Sequence, residues 1–187
     1  MRLAVIIGST RRGRFGPIVA DWLAQQAAKQ FEVDVLDLQA ADLPTILPDT
    51  DDETPAQVAV LAPRLVAADA FAVVTPEINC SFPASLKTAL DWYYEEWHAK
   101  PVAVVSYGRE SGGCNATAQL RQVFTELQAV TIRNTVALPC YWEQFTTDGG
   151  WPKPSAGYEA QAKLMLDQLV WWAEALRDAR TRRPYTS

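Results

Sequence analysis

Leu3-Ala4-Val5-Ile6-Ile7-Gly8-Ser9-Thr10-Arg11-Arg12-Gly13-Arg14-Phe15-Gly16-Pro17 is the stretch that decides how this chain folds. Its apolar, β-rich opening predicts a central parallel strand over residues 3–8, covered on both faces. The sequence then changes at once to glycine, hydroxyl and arginine, after which Ile18, Val19, Trp22, Leu23 and Ala27 recur at helical spacing. A buried strand that runs into a polar loop and then a helix gathers cations and backbone N–H groups at a positive helix terminus, where phosphate binds well. The loop contains neither GxxxxGK[ST] nor GxGxxG, so a plain turn with solvated arginines stays open beside the phosphate-binding alternative.

Outward from this stretch the pattern repeats. Residues 32–38 form a second strand on Val33, Val35 and Leu36, and Pro44, Pro48 and the acidic group Asp49, Asp51, Asp52 and Glu53 mark a solvated loop. Thr54-Pro55 opens the next helix as N-cap and first-turn proline, with Val58, Leu61, Ala62 and Leu65 as its buried stripe. Residues 70–74 supply a third strand, followed by a second polar loop, Thr75-Pro76-Glu77-Ile78-Asn79-Cys80-Ser81-Phe82-Pro83. Leu86, Ala89, Leu90, Tyr93, Tyr94 and Trp97 predict a helix with an aromatic far end, whose rings are either core or contacts with another subunit.

A fourth strand over 101–106 leads into a third loop, Tyr107-Gly108-Arg109-Glu110-Ser111-Gly112-Gly113, and a helix carried by Leu120, Val123, Phe124 and Leu127. A fifth strand spans 130–138, and a last helix over 158–179 follows the long loop 139–157 with its Tyr141-Trp142-Glu143-Gln144-Phe145. This alternation of strands and helices demands a parallel sheet with right-handed crossovers and a ligand beyond the strands' carboxyl ends. The expected fold is α/β: a flavodoxin-like three-layer sandwich with a five-stranded parallel sheet of order 2-1-3-4-5 and helices on both faces. One domain covers residues 1–187, the long loop and last helix included.

Composition bounds the function. With 49% hydrophobic and 21% charged residues the chain is too apolar for disorder. A net charge of −5, without a basic helix carrying interleaved aromatics, argues against nucleic acid. No apolar run approaches the ~20 residues of a membrane span and no cleavable leader is read, so a soluble cytoplasmic protein without a membrane partner is expected. Cys80, Cys114 and Cys140 are widely spaced and read as reduced thiols. His98 is the single histidine, which excludes a multi-histidine metal site within one chain; its setting, Glu95-Glu96-Trp97-His98-Ala99-Lys100, reads as the polar end of a helix. Neither a metal nor a catalytic side chain is expected.

The three loops follow strands one, three and four and meet at one sheet edge. The Ser9 and Thr10 hydroxyls, with Arg11 and Arg14 and with Arg12 close by, suit a terminal phosphomonoester. Pro76 and Pro83 stiffen the second loop, which suits Glu77 to Asn79 to a flat ring; Ser81 is read as either a ligand contact or a helix cap. Gly108, Gly112 and Gly113 either permit close backbone approach to that ring or serve the turn alone.

Gly8-Ser9-Thr10-Arg11 with Gly16, Thr75-Pro76-Glu77 with Asn79, Ser81-Phe82-Pro83, Leu86-Lys87 with Asp91-Trp92, and Ser106-Tyr107-Gly108 with Ser111-Gly112-Gly113 together resemble the NADPH-dependent FMN reductase family, from Arg2 to about Pro139. The resemblance implies a flavodoxin-like fold, FMN as cofactor, and transfer of reducing equivalents from NADPH or NADH to free flavin, a quinone, azo compounds or metal oxyanions. It implies Ser9, Thr10, Arg11 and Arg14 at the FMN phosphate, with Gly16 at the helix entrance. It further implies Pro76, Glu77, Ile78 and Asn79 along the ring and ribityl chain, joined by Ser81, and Ser106, Tyr107, Gly108 and Gly113 at the ring from the third loop. Flavin N5 takes hydride without a protein acid, in keeping with a site that lacks histidine.

Two departures from the family stand out. Many relatives carry an aromatic residue where this chain has Ile78, and a small one where it has Arg109, here followed by Glu110. Arg109 and Glu110 stand as pocket-mouth candidates that narrow the opening, pair with each other, or recognise an anionic substrate. The resemblance also implies a homodimer or homotetramer, for which Tyr93, Tyr94, Trp97, Trp142 and Phe145 offer surfaces. The competing classes are a flavodoxin-type electron carrier, a pathway-specific flavoenzyme acting on one organic substrate, and a regulatory module without flavin. Bleaching of the flavin by a nicotinamide, turnover of free FMN and simple quinones, and the presence of a flavin spectrum separate them.

Overall fold

The most apolar segments of the sequence lie at the centre of one parallel sheet. In the computed structural model, which describes residues 1–47, 54–148, 150–153 and 157–186, strands β1 (Arg2–Ile7), β2 (Glu32–Asp37), β3 (Ala70–Pro76) and β4 (Pro101–Gly108) stand in the order β2-β1-β3-β4. Every neighbouring pair is parallel. The acidic loop expected from Pro48 to Glu53 lies outside the described residues.

Side chains alternate across β1 with a period of two, so each face of the sheet needs its own cover. Leu3, Val5 and Ile7 enter the layer formed with α1 (Gly16–Ala27) and the last helix, α6 (Tyr158–Arg182). Ala4 and Ile6 enter the opposite layer, with the short α2 (Leu38–Ala41), α3 (Ala56–Ala67), α4 (Ala84–Trp92) and α5 (Cys114–Glu126). The sheet order and the two helical layers agree with the sequence-based expectation.

Three details differ from it. The single strand expected over 130–138 is two short ones, β5 (Val130–Thr131) and β6 (Val136–Pro139), both paired with β4. From Val102 to Val105 the central strand advances three residues while the edge advances five, from Thr131 to Val136. The extra residues are drawn away by side chains: the Arg121 guanidinium donates to the Ile132 and Arg133 carbonyls, and the Asn134 N–H donates to Gln168 Oε1.

The aromatic helix expected to reach Trp97 ends at Trp92, and Glu95–Trp97 is a separate turn of 3-10 helix. Buried Tyr and Trp need partners for their polar atoms. The chain bends so that the Tyr93 hydroxyl donates to the Val58 carbonyl at 3.1 Å and Trp97 Nε1 donates to the Tyr93 carbonyl at 2.9 Å. Tyr93 and Trp97 are therefore core and unavailable to a partner subunit, whereas Tyr94 is half exposed. At the start of α3 the N-cap is Pro55, with no side-chain bond, so Thr54 is not the cap. No helix among the described residues is long and apolar enough to cross a membrane.

Candidate functional site

The carboxyl ends of β1, β3 and β4 bring the three polar loops together. Gly8 N donates to the Val74 carbonyl at 2.9 Å, Glu77 N to the Tyr107 carbonyl at 2.9 Å, and Ser85 Oγ to the Gly8 carbonyl at 2.7 Å. A cleft of about 280 Å³ beside the first loop is lined by Thr10, Gln39, Asp42, Thr45, Ser85 and Thr88, among others.

In the first loop Ser9 is buried, while Thr10, Arg11, Arg12 and Gly13 are exposed. The first turn of α1 has Pro17 but no side-chain cap and no acidic residue. Pro17 has no N–H and those of Ile18 and Val19 donate to the Phe15 carbonyl, so what local carboxylates leave unopposed is the positive end of the helix dipole. Arg14 turns inward. Its Nη1 donates to the Ser9 carbonyl at 2.8 Å and to Asp37 Oδ1 at 2.5 Å, and its Nη2 donates to Asp37 Oδ2 at 2.5 Å. Expected at a phosphate, this guanidinium is instead engaged with Asp37, at the end of β2. The paired bond holds the Asp37 carboxyl below, and the Arg14 guanidinium above, their ordinary ranges.

An aromatic cluster underlies the same loop. Phe15 stacks on Tyr141 with ring centroids 4.3 Å apart and meets Tyr107, Phe145 and Trp151 edge-on at 5.6, 5.7 and 5.0 Å. Phe145, proposed from sequence as a partner surface, thus packs within its own chain, while Trp142 is half exposed. Tyr107, expected to border a ring, sends its side chain beneath the first loop. Its hydroxyl is enclosed beside the Ser9 side chain and Gly16 backbone, without a hydrogen bond of good geometry to either. Burial, with Tyr141 next in effect, pushes it above the ordinary phenol range.

The second and third loops are fastened to each other. Ile78 and Ser81 exchange backbone hydrogen bonds of 2.8 and 2.9 Å around Asn79 and Cys80, at φ 50° and 61°, a tight primed-type turn. Ser81 Oγ donates to Gln119 Oε1 at 2.7 Å and caps nothing; the N-cap of α4 is Pro83. Asn79 is exposed at the tip, and Pro76, Glu77 and Ile78 are half-buried. The Glu77 carboxylate accepts from Asn115 N at 2.9 Å and Asn115 Nδ2 at 3.0 Å, at the start of α5. Burial pushes this carboxyl upward, but the bonds from Asn115 and Ala116 prevail and hold it below the ordinary range.

The third loop's small residues answer to the protein's own backbone. A Cβ on Gly113, at φ 91°, would sit 2.6 Å from Ser106 Cβ, and one on Gly112, at φ 61°, 2.9 Å from Pro139 N. Buried Ser106 donates to the Gly112 carbonyl at 2.8 Å. Turn and packing by themselves require glycine at both positions. Gly108 is half-buried beside them, and Arg109 and Glu110 are exposed without an ion pair between them.

His98 lies at the opposite end of the sheet, before β4, with its ring edge-on to Tyr94 at 4.6 Å. Among the described residues no group of three or more His, Cys, Asp or Glu is placed to hold a metal ion. Sequence reasoning missed Asp37, Tyr141 and Asn115 as supports of the site. Only Asp37 left a local signal, an acid at the end of a strand.

The family model described as NADPH-dependent FMN reductase matches residues 1–143. The chain is 31% identical over 148 residues to an NAD(P)H-dependent FMN reductase of Schizosaccharomyces pombe, covering 74% of each protein. It is 34% identical over 139 residues to a quinone reductase of Escherichia coli, covering 71% of this chain and 73% of that one. The solved structure of FerB, a flavoenzyme NAD(P)H:(acceptor) oxidoreductase from Paracoccus denitrificans, is similar with a TM-score of 0.77 and 26% identity, over 93% of this chain and 97% of that one.

Proposed function

This chain belongs to the NADPH-dependent FMN reductase family, and from that membership we propose that its three-loop edge holds FMN, phosphate at the first loop and ring between the other two. Its activity is that of an NAD(P)H-dependent oxidoreductase with FMN as cofactor and flavins or quinones as acceptors. When bound, FMN supplies the hydride chemistry, N5 taking hydride from NADPH or NADH and giving it up to the acceptor.

The residues present fit that cofactor. The observation that carries the assignment is the N-terminus of α1, without side-chain cap or first-turn acid, beneath exposed Thr10 and Arg11. Such a terminus attracts a phosphate dianion through its dipole and adjacent positive charge. Ser9 and the enclosed Tyr107 hydroxyl lie under it, and Arg14 supports the loop from behind.

Pro76, Glu77, Ile78 and Asn79 border the ring and ribityl chain from the second loop, with Ser81 held back by Gln119. Gly108, Gly113 and the main chain of Ser106 and Tyr107 close the other side. Ile78 offers an aliphatic contact without π-stacking, which leaves the ring face to the nicotinamide and the acceptor in turn. Arg109 and Glu110, both exposed, stand at the mouth.

A homodimer or homotetramer in the cytoplasm belongs to the same proposal. Three free cysteines support the reducing setting, and half-exposed Trp142 and Tyr94 support a partner surface. Sedimentation velocity reads the subunit count.

The test is the spectrum of the purified protein, with the released cofactor identified by mass, followed by rapid mixing with NADPH and with NADH. Flavin absorbance near 450 nm that bleaches with either nicotinamide and returns on adding a quinone is expected. Absence of bleaching with both overturns the reductase assignment.

A further inference from the structure

We propose that Arg14 serves FMN binding by neutralising Asp37 and is a positioning residue rather than a phosphate ligand; the inference rests on FMN as the occupant of the three-loop edge. β1 and β2 are registered so that Asp37 stands opposite Ile7, the last residue before the phosphate loop. The Asp37 carboxylate is needed there, because it accepts from Gln39 N at 3.0 Å and caps α2. A carboxylate at the rim of a phosphate site repels a dianion unless it is covered.

Arg14 supplies the cover. Its two terminal nitrogens take both carboxylate oxygens, and Nη1 bridges to the Ser9 carbonyl of the loop itself. The Arg14 side chain is 12% exposed and that of Asp37 27%, so the pair is screened less than a surface ion pair. Thr10 and Arg11 are exposed. Charge adds up accordingly: the Arg14–Asp37 pair contributes none, and attraction for the phosphate falls to Arg11, Arg12 and the α1 terminus.

A cycle of Arg14→Met, Asp37→Asn and the double variant separates cover from ligand, with FMN and riboflavin titrated calorimetrically against each protein. R14M is expected to weaken FMN at least tenfold and riboflavin, which lacks the phosphate, no more than threefold. The double variant is expected to bind FMN within threefold of wild type, since no bare carboxylate is left. A double variant as weak for FMN as R14M makes Arg14 a direct ligand and overturns the proposal.

If R14M does not fold, Arg14→Lys keeps the charge but loses the two-pronged bond. FMN affinity for R14K within threefold of wild type supports neutralisation, and a tenfold loss with the charge kept overturns it. Wild type that takes up neither flavin refutes the FMN assignment instead. Non-additive unfolding of the cofactor-free proteins in the same cycle is the expected signature of the ion pair whether or not flavin binds, and additivity overturns the pairing.

Discussion

The first loop and the fastened pair of second and third loops are held by different forces. Phe15 anchors the first through ring packing against Tyr107, Tyr141, Phe145 and Trp151, drawn from β4 and from the long loop that follows β6. The second is joined to the third by the bond from Glu77 N to the Tyr107 carbonyl and to α5 by those from Asn115 to Glu77 and from Ser81 to Gln119, and Ser106 to Gly112 closes the third loop on β4. Burial of a large ring is worth several kcal/mol, whereas one hydrogen bond nets about 1. On the proposed assignment, the phosphate grip is thus set on packed aromatics. The proposed ring site is set on bonds that yield more easily.

Phe15→Ala breaks this contrast with the largest expected effect. Removing a ring that is 8% exposed and touches four others is expected to cost about 3 kcal/mol in urea unfolding. The long loop loses its dock at the same time, so Trp151 fluorescence shifts to the red in the folded variant. A loss below about 1 kcal/mol means the aromatic cluster does not anchor the loop.

How much of this was legible depended on the distance over which each contact acts. Strand positions and the three-loop edge were readable because apolar runs and polar breaks are local features of the chain. The glycine pair was readable as permissive, but Pro139 and Ser106, which forbid a side chain there, come from the edge strand and from β4. Arg14 looked like one more cation in a basic loop, since its partner lies 23 residues away and is selected by the β1–β2 register. The helical period through Trp97 was formally intact; what ended the helix was the need of Tyr93 and Trp97 for acceptors, which no spacing reveals. Sequence thus read the three converging loops and misjudged which of their side chains face inward.

Glu77→Gln probes the hydrogen-bonded half. The amide still accepts one bond but loses the charge facing the N-terminus of α5, and a loss of about 1 kcal/mol at neutral pH is expected, of helix-cap size. Because the folded carboxyl lies below its ordinary value of 4.5, its stabilisation is full above that pH and is lost as pH falls through the lowered folded value. The difference between wild type and E77Q in urea unfolding therefore closes in acid, while the Asp37 contribution, present in both, cancels. A gap that is constant with pH shows that Glu77 acts through shape alone.

The smallest expected effect sharpens the first loop's side of the comparison. An enclosed hydroxyl without a partner costs free energy, so Tyr107→Phe, which keeps the ring and its contact with Phe15, is expected to leave the cofactor-free protein as stable as wild type or up to about 1 kcal/mol more so. FMN affinity is expected to fall a few-fold in the same variant, because a phosphate oxygen or a water held by it offers the hydroxyl its missing acceptor. Destabilisation of the cofactor-free protein reverses the inference: Ser9 then already satisfies Tyr107, and the loop is closed from below before any cofactor arrives. Stability unchanged with FMN binding weakened assigns the packed aromatics a second task, presenting one polar atom upward from an otherwise apolar floor.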